Sequence, residues 1–135
     1  MRHKVDGRLF GRPANQRRAL LRGLVTALLE NQRIETTVAK AKETKRIAEK
    51  MVTFGIKGDL HSKRQVLSYV TDRGVASKLF NEIAPRFSGR NGGYLRIVQT
   101  RNRLKDSAPM AVLEFVDYES VKVPKGKAKK EEKAK

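Results

Sequence analysis

Residues Met1 to Thr37, MRHKVDGRLFGRPANQRRALLRGLVTALLENQRIETT, decide how the rest of the chain is organised. The stretch starts as a basic arm, in which Arg2, Lys4, Arg8, Arg12, Arg17, Arg18 and Arg22 face one acid, Asp6. Leu20, Leu21, Leu24, Val25 and Leu28 then recur at spacings of three and four, the period of a helix with one core-facing stripe. Gly11-Arg12-Pro13 reads as a loop that sets Pro13 near the first helical position, and the helix runs to about Asn31. Arg33 to Thr37, with Ile34, Thr36 and Thr37, is short and β-rich, so a strand follows. Charge and core are therefore joined without a linker.

Outward from that stretch, Thr36 or Thr37 is placed to cap a second helix from Val38 to about Phe54, ended by Gly55 and Gly58. Ala41, Ile47, Ala48, Met51 and Val52 form its inner stripe, and Lys42, Arg46 and Lys50 its outer one. Asp59 opens a third helix with Leu60, Val66, Leu67 and Val70 as apolar points. Thr71 or Asp72 caps a fourth that packs Val75, Leu79, Phe80 and Ile83 and closes at Pro85. After the turn Ser88–Gly93, Tyr94–Thr100 and Met110–Val116 read as two strands of a hairpin across Arg101–Pro109. The order helix, strand, three helices, two-stranded hairpin predicts an α+β fold, a small two-layer α/β domain with helices on one face of a short sheet. Residues 1–12 form the basic arm, 13–121 one globular domain, and 122–135 a Lys-rich tail too polar to order itself.

The chain has 135 residues, a size that suits one domain with a real core. Its net charge of +17 repels itself in a compact body, and the commonest reason for such a charge is a polyanionic partner. No apolar run approaches the length needed to cross a bilayer, and no apolar h-region follows Met1, which argues against a membrane partner and against export. The absence of cysteine excludes disulfides, thiolate metal sites and thiol nucleophiles, and it suits a reducing cytosol.

Four basic groups are candidate binding residues, each with a bland alternative. Arg2, Lys4, Arg8 and Arg12 are either a solvated terminus or a strand that follows a phosphate backbone. Arg17, Arg18 and Arg22 are either the polar face of the first helix or bidentate phosphate contacts, and the excess of Arg over Lys favours the second. Lys40 and Lys42 are the members of the second helix most suited to touch RNA, although such a face is more often simply solvated. Arg101 and Arg103, with Lys105, either block edge-to-edge pairing at the hairpin tip or reach into a groove. His3 and His61 stand far apart without acidic neighbours, and no nucleophile motif or phosphate-binding glycine loop is present. The sequence therefore points to no catalytic residue, metal, cofactor or small-molecule substrate. Charge alone would also suit a binder of duplex DNA.

Several blocks carry a resemblance. Met1-Arg2-His3, Ile34-Glu35-Thr36-Thr37 with Lys40-Ala41-Lys42-Glu43, Lys78 to Phe87, Gly92 to Ile97 and Ala108 to Ala111 occur in the order of a known pattern. Over about Met1–Tyr118 the chain closely resembles the bacterial-type L-seventeen family of large-subunit ribosomal proteins. The resemblance implies a non-enzymatic part of the cytoplasmic ribosome that binds large-subunit rRNA beside neighbouring ribosomal proteins, near the polypeptide exit tunnel. It also implies that Arg2, His3 and Lys4 lie in an rRNA-embedded arm and that Arg90 and Arg96 belong to the binding stretch around the glycine pair. The chain departs from the family at Arg101 and Lys105, where glycines are usual, and beyond Val121.

Overall fold

The computed structural model describes His3 and residues 6–118. Arg2, Lys4 and the Lys-rich tail fall outside the described residues. Helix α1 (Ala14–Asn31) leads into strand β1 (Arg33–Thr37) and helix α2 (Val38–Lys57), followed by α3 (Leu60–Tyr69) and α4 (Arg73–Lys78). A π-helical turn, Leu79–Ile83, carries α4 into a last helical turn, α5 (Ala84–Arg86), before strands β2 (Leu95–Asn102) and β3 (Pro109–Phe115). This is the two-layer arrangement and element order expected from the sequence.

The three strands form an antiparallel sheet in the order β1-β3-β2, so the last strand is the central one. Ile34 and Ile97 flank Leu113 on the helix-facing side, while Arg33 and Arg96 flank Glu114 on the other. Period-two alternation thus gives the sheet one apolar and one charged face. Helix α2 crosses all three strands, and α1 reaches β1, α2 and α4. Between the layers lie Val25, Leu28 and Leu29 of α1, Ala41, Ala48 and Val52 of α2, and Ala111, Leu113 and Phe115 of β3. Phe87 bridges the layers, with its ring 5.4 Å from that of Tyr94 and 5.7 Å from that of Phe115.

The structure corrects several local expectations. Helix α2 does not stop at Gly55: that residue is buried inside it, and a Cβ there would come within 3.1 Å of Ala84 Cβ. Gly55 marks the closest approach of α2 to α5, and it is Gly58, at φ +65°, that ends the helix by donating to Phe54 O. Pro85 does not close the fourth helix either. The π turn, in which the Ala84 amide bonds Leu79 O, makes room for a residue that has no N–H and would otherwise press on the carbonyl four residues back. Thr37 occupies the cap position of α2 without a side-chain bond, whereas Asp59 and Asp72 do cap α3 and α4. On α3, Leu60 and Leu67 are 64% and 46% exposed, because the helix packs through Ser62 and Val66 instead. Arg101 lies within β2 rather than in the hairpin loop. Among the described residues no helix is long and apolar enough to cross a membrane.

Candidate nucleic-acid interface

The root of the arm is fastened to α2. Gly7, at φ +86°, bends the chain so that the Asp6 carboxylate takes two bonds from the Arg46 guanidinium, at 2.8 and 2.5 Å. Arg8 Nε lies 3.5 Å from Glu43 Oε1 one turn earlier on the same helix. The hydrogen bond and charge of Arg46 hold the Asp6 carboxyl below its ordinary range and raise the guanidinium in return. From there Leu9–Arg12 makes a tight turn, with positive φ at Phe10 and Gly11, and delivers Pro13 to the start of α1.

Around that turn, several cations face solvent. Arg12 and Arg18 are exposed and form no ion pair among the described residues, and the guanidinium of half-buried Arg17 donates only to Arg12 O, at 3.4 Å. His3 is exposed as well. On α2, Lys42, Arg46 and Lys50 are all exposed, which is the outer stripe that the helical period predicted. Lys40 is half-buried. Lys42, Arg46 and Lys50 share the face of α2 against which the arm root lies, and Lys40 stands on another face of that helix. Arg22 differs: it is half-buried, its guanidinium is 5.4 Å from the Tyr69 ring, and it joins α1 to the end of α3.

The hairpin carries a second basic group, but its arginines are engaged. Arg103 makes a fork–fork pair with Asp106, at 2.9 and 2.6 Å, and Asp106 also accepts from the Ala108 amide. This holds the Asp106 carboxyl down to about 2. Arg101 lies 4.0 Å from Glu35. Lys105 has no ion pair among the described residues, and Leu104, 92% exposed, projects beside it. Thr37 faces Met110 in the sheet register, so the first turn of α2 starts at the end of the sheet from which this tip projects.

Arg90 and Arg96 belong to the opposite end of the sheet, where Leu95 faces Phe115. Arg90 Nε donates to Gly92 O, which folds the side chain back on its own loop. Arg96 bonds the Glu114 carboxylate at 2.7 Å, and Arg33 approaches the same group at 3.3 Å. Glu114 is only 5% exposed, so these two arginines satisfy a buried acid on the charged face of the sheet. The structure thus brings Arg8 to the face of α2 that carries Lys42 and Arg46, keeps Arg12, Arg17 and Arg18 at the turn that follows, and sets Arg96 on the charged face of the sheet. Sequence reading underrated Arg46, whose partner Asp6 lies far away in the chain. Among the described residues no group of three metal-ligating side chains comes together.

Residues 20–116 match the family described as ribosomal protein L17. The chain is 63% identical over 133 residues to large ribosomal subunit protein bL17 of Thermodesulfovibrio yellowstonii, covering 98% of each chain. It is 54% identical over 119 residues to the protein of that name from Desulfotalea psychrophila, covering 88% of this chain and 92% of that one. With the Caldanaerobacter subterraneus protein the identity is 56% over 109 residues, 81% of this chain and 97% of the other.

Proposed function

The chain belongs to the ribosomal protein L17 family, and from that premise we propose that it binds large-subunit rRNA through its basic arm and the cations around the arm root. It is a structural constituent of the large ribosomal subunit, and its family is one of structural proteins rather than enzymes. In this reading residues 13–121 are the packed body, the arm 1–12 enters folded RNA, and the tail 122–135 adds sequence-independent charge. Arg2, His3, Lys4, Arg8, Arg12, Arg17 and Arg18 contact RNA from the arm and the start of α1. Lys40 and Lys42 join them from α2, and Lys105 reaches from the hairpin tip. Arg22, Arg90, Arg96, Arg101 and Arg103 serve RNA chiefly by holding the surface in shape. The position is near the polypeptide exit tunnel of the cytoplasmic ribosome, among neighbouring large-subunit proteins.

The observation that carries this reading is the group of arginines without an ion pair among the described residues, Arg12 and Arg18 foremost, set beside an arm root that lies against α2 through the Asp6–Arg46 pair. Phosphate contacts by such groups release counterions, so affinity falls steeply with salt whatever the nucleic acid. Preference for structured rRNA over duplex DNA at matched salt is the discriminating quantity. The full chain should co-sediment with the large subunit at physiological salt, and a chain lacking residues 1–12 should be incorporated markedly less well. Equal incorporation of the two would overturn the arm's assignment.

A further inference from the structure

The described surface holds a cleft that none of the binding residues above occupies. It lies between the second half of α2 and the loop that leads into β2, has a volume of about 630 Å³, and is lined by Arg46, Glu49, Lys50, Thr53, Phe54 and Tyr94, with Gly92 at its edge. Pockets of this size accept a small organic ligand. Its chemistry is divided. Phe54 is half-buried and Tyr94 buried beside it, so the aromatic surface of the floor is that of Phe54, while Arg46 and Lys50 stand exposed at the rim. Glu49 sits on the wall, with its Oε1 enclosed 4.0 Å from Lys45 Nζ.

The rim already holds an anion. Asp6 places a carboxylate on the Arg46 fork in bidentate geometry, and Lys50 adds its charge to the same group. A phosphate fits the fork as a carboxylate does, with two oxygens on two parallel N–H groups. Asp6 and Arg46 are both exposed, so their ion pair is worth little in water and exchanges readily. Cations at a rim above an aromatic floor are the two ingredients of single-strand recognition, where bases stack and the backbone is neutralised.

We propose that this cleft seats one unstacked nucleotide of RNA, its base against Phe54 and its phosphate on Arg46 and Lys50 in place of the Asp6 carboxylate. The proposal rests on the RNA-binding reading and narrows it to a site. Arrival of the phosphate frees Asp6, so filling the cleft and releasing the arm root are one exchange.

The test compares the full-length protein's binding of a short, labelled oligoadenylate with that of an abasic ribose-phosphate chain of the same length, at fixed salt. The base-bearing chain should bind about tenfold tighter, the scale of one stacked base. Phe54→Leu keeps apolar bulk and removes the aromatic face, so it should erase that preference. Asp6→Asn removes the competing carboxylate and should tighten oligoadenylate binding; an unchanged or weaker Kd overturns the phosphate seat. Should Phe54→Leu fail to fold, amide shifts of Thr53 and Gly92 in the unaltered protein serve instead, since oligoadenylate should move both and the abasic chain should not. Equal binding of the two chains, or shifts confined to the arm, overturns the cleft while leaving RNA binding by the arm intact. Binding of neither chain overturns both.

Discussion

At the hairpin tip one carboxylate organises the turn. Asp106 bonds the Arg103 guanidinium and the Ala108 amide, and its pKa falls from an ordinary 3.8 to about 2. Because the folded value is the lower one, the bracket contributes fully above 3.8 and is lost as the pH falls from there through about 2. The carboxyl carbon shift of Asp106, followed by NMR, should therefore titrate with a midpoint near 2, and Arg103→Ala should return it towards 3.8. Gly55 makes a second prediction at this scale. Alanine would gain roughly 1 kcal/mol of helix propensity. Its Cβ would also meet Ala84 Cβ at 3.1 Å, against a helical turn that cannot retreat without moving backbone. Overpacking of that kind costs roughly 1–3 kcal/mol. The clash should win, so Gly55→Ala should lower the thermal midpoint, and an unchanged or higher midpoint would show that α2 and α5 can spread.

Among the elements, α1 shows how far periodicity reaches. The stripe Leu20–Leu21–Leu24–Val25–Leu28 marks the correct side of the helix, yet the fully buried residues are Val25, Leu28 and Leu29. Leu29 falls outside the stripe because α1 meets both α4 and the sheet-bearing layer, which demands a wider apolar arc near its end. Leu28→Ala should therefore cost about 2–5 kcal/mol. Leu24, only half-buried, should cost clearly less, and chemical denaturation of the two variants ranks them. The cap Asp59 was legible, and Asp72 and Gly58 each as one of two candidates, because each acts on backbone within a few residues. The internal Gly55 and the π turn before Pro85 were not. Both exist because two helices, distant in the chain, approach closely, and local propensity contains no term for that.

For the molecule as a whole, charge was legible and its pairing was not. Sequence patterning offers Arg12, Arg17 and Arg18 as candidate binding cations, but it offers Arg101 and Arg103 as well, and the family resemblance adds Arg96; the fold gives these last three to Glu35, Asp106 and Glu114. The Arg96–Glu114 pair joins the neighbouring strands β2 and β3 and the Arg101–Glu35 pair runs between the two outer strands, β2 and β1, so only the sheet order and register reveal them. Arg17→Ala with Arg18→Ala should weaken RNA binding and leave the thermal midpoint nearly unchanged, because Arg18 is exposed and the Arg17 guanidinium makes only one long bond, to Arg12 O. A large drop in the midpoint of the free protein would make the pair structural. The strand order carries a further consequence, for synthesis. Because β3 lies between β1 and β2, those two have no mutual partner until the final strand has emerged. The nascent polypeptide therefore closes its sheet in one late step, and a product truncated before Pro109 keeps the apolar side of α2 open to proteases.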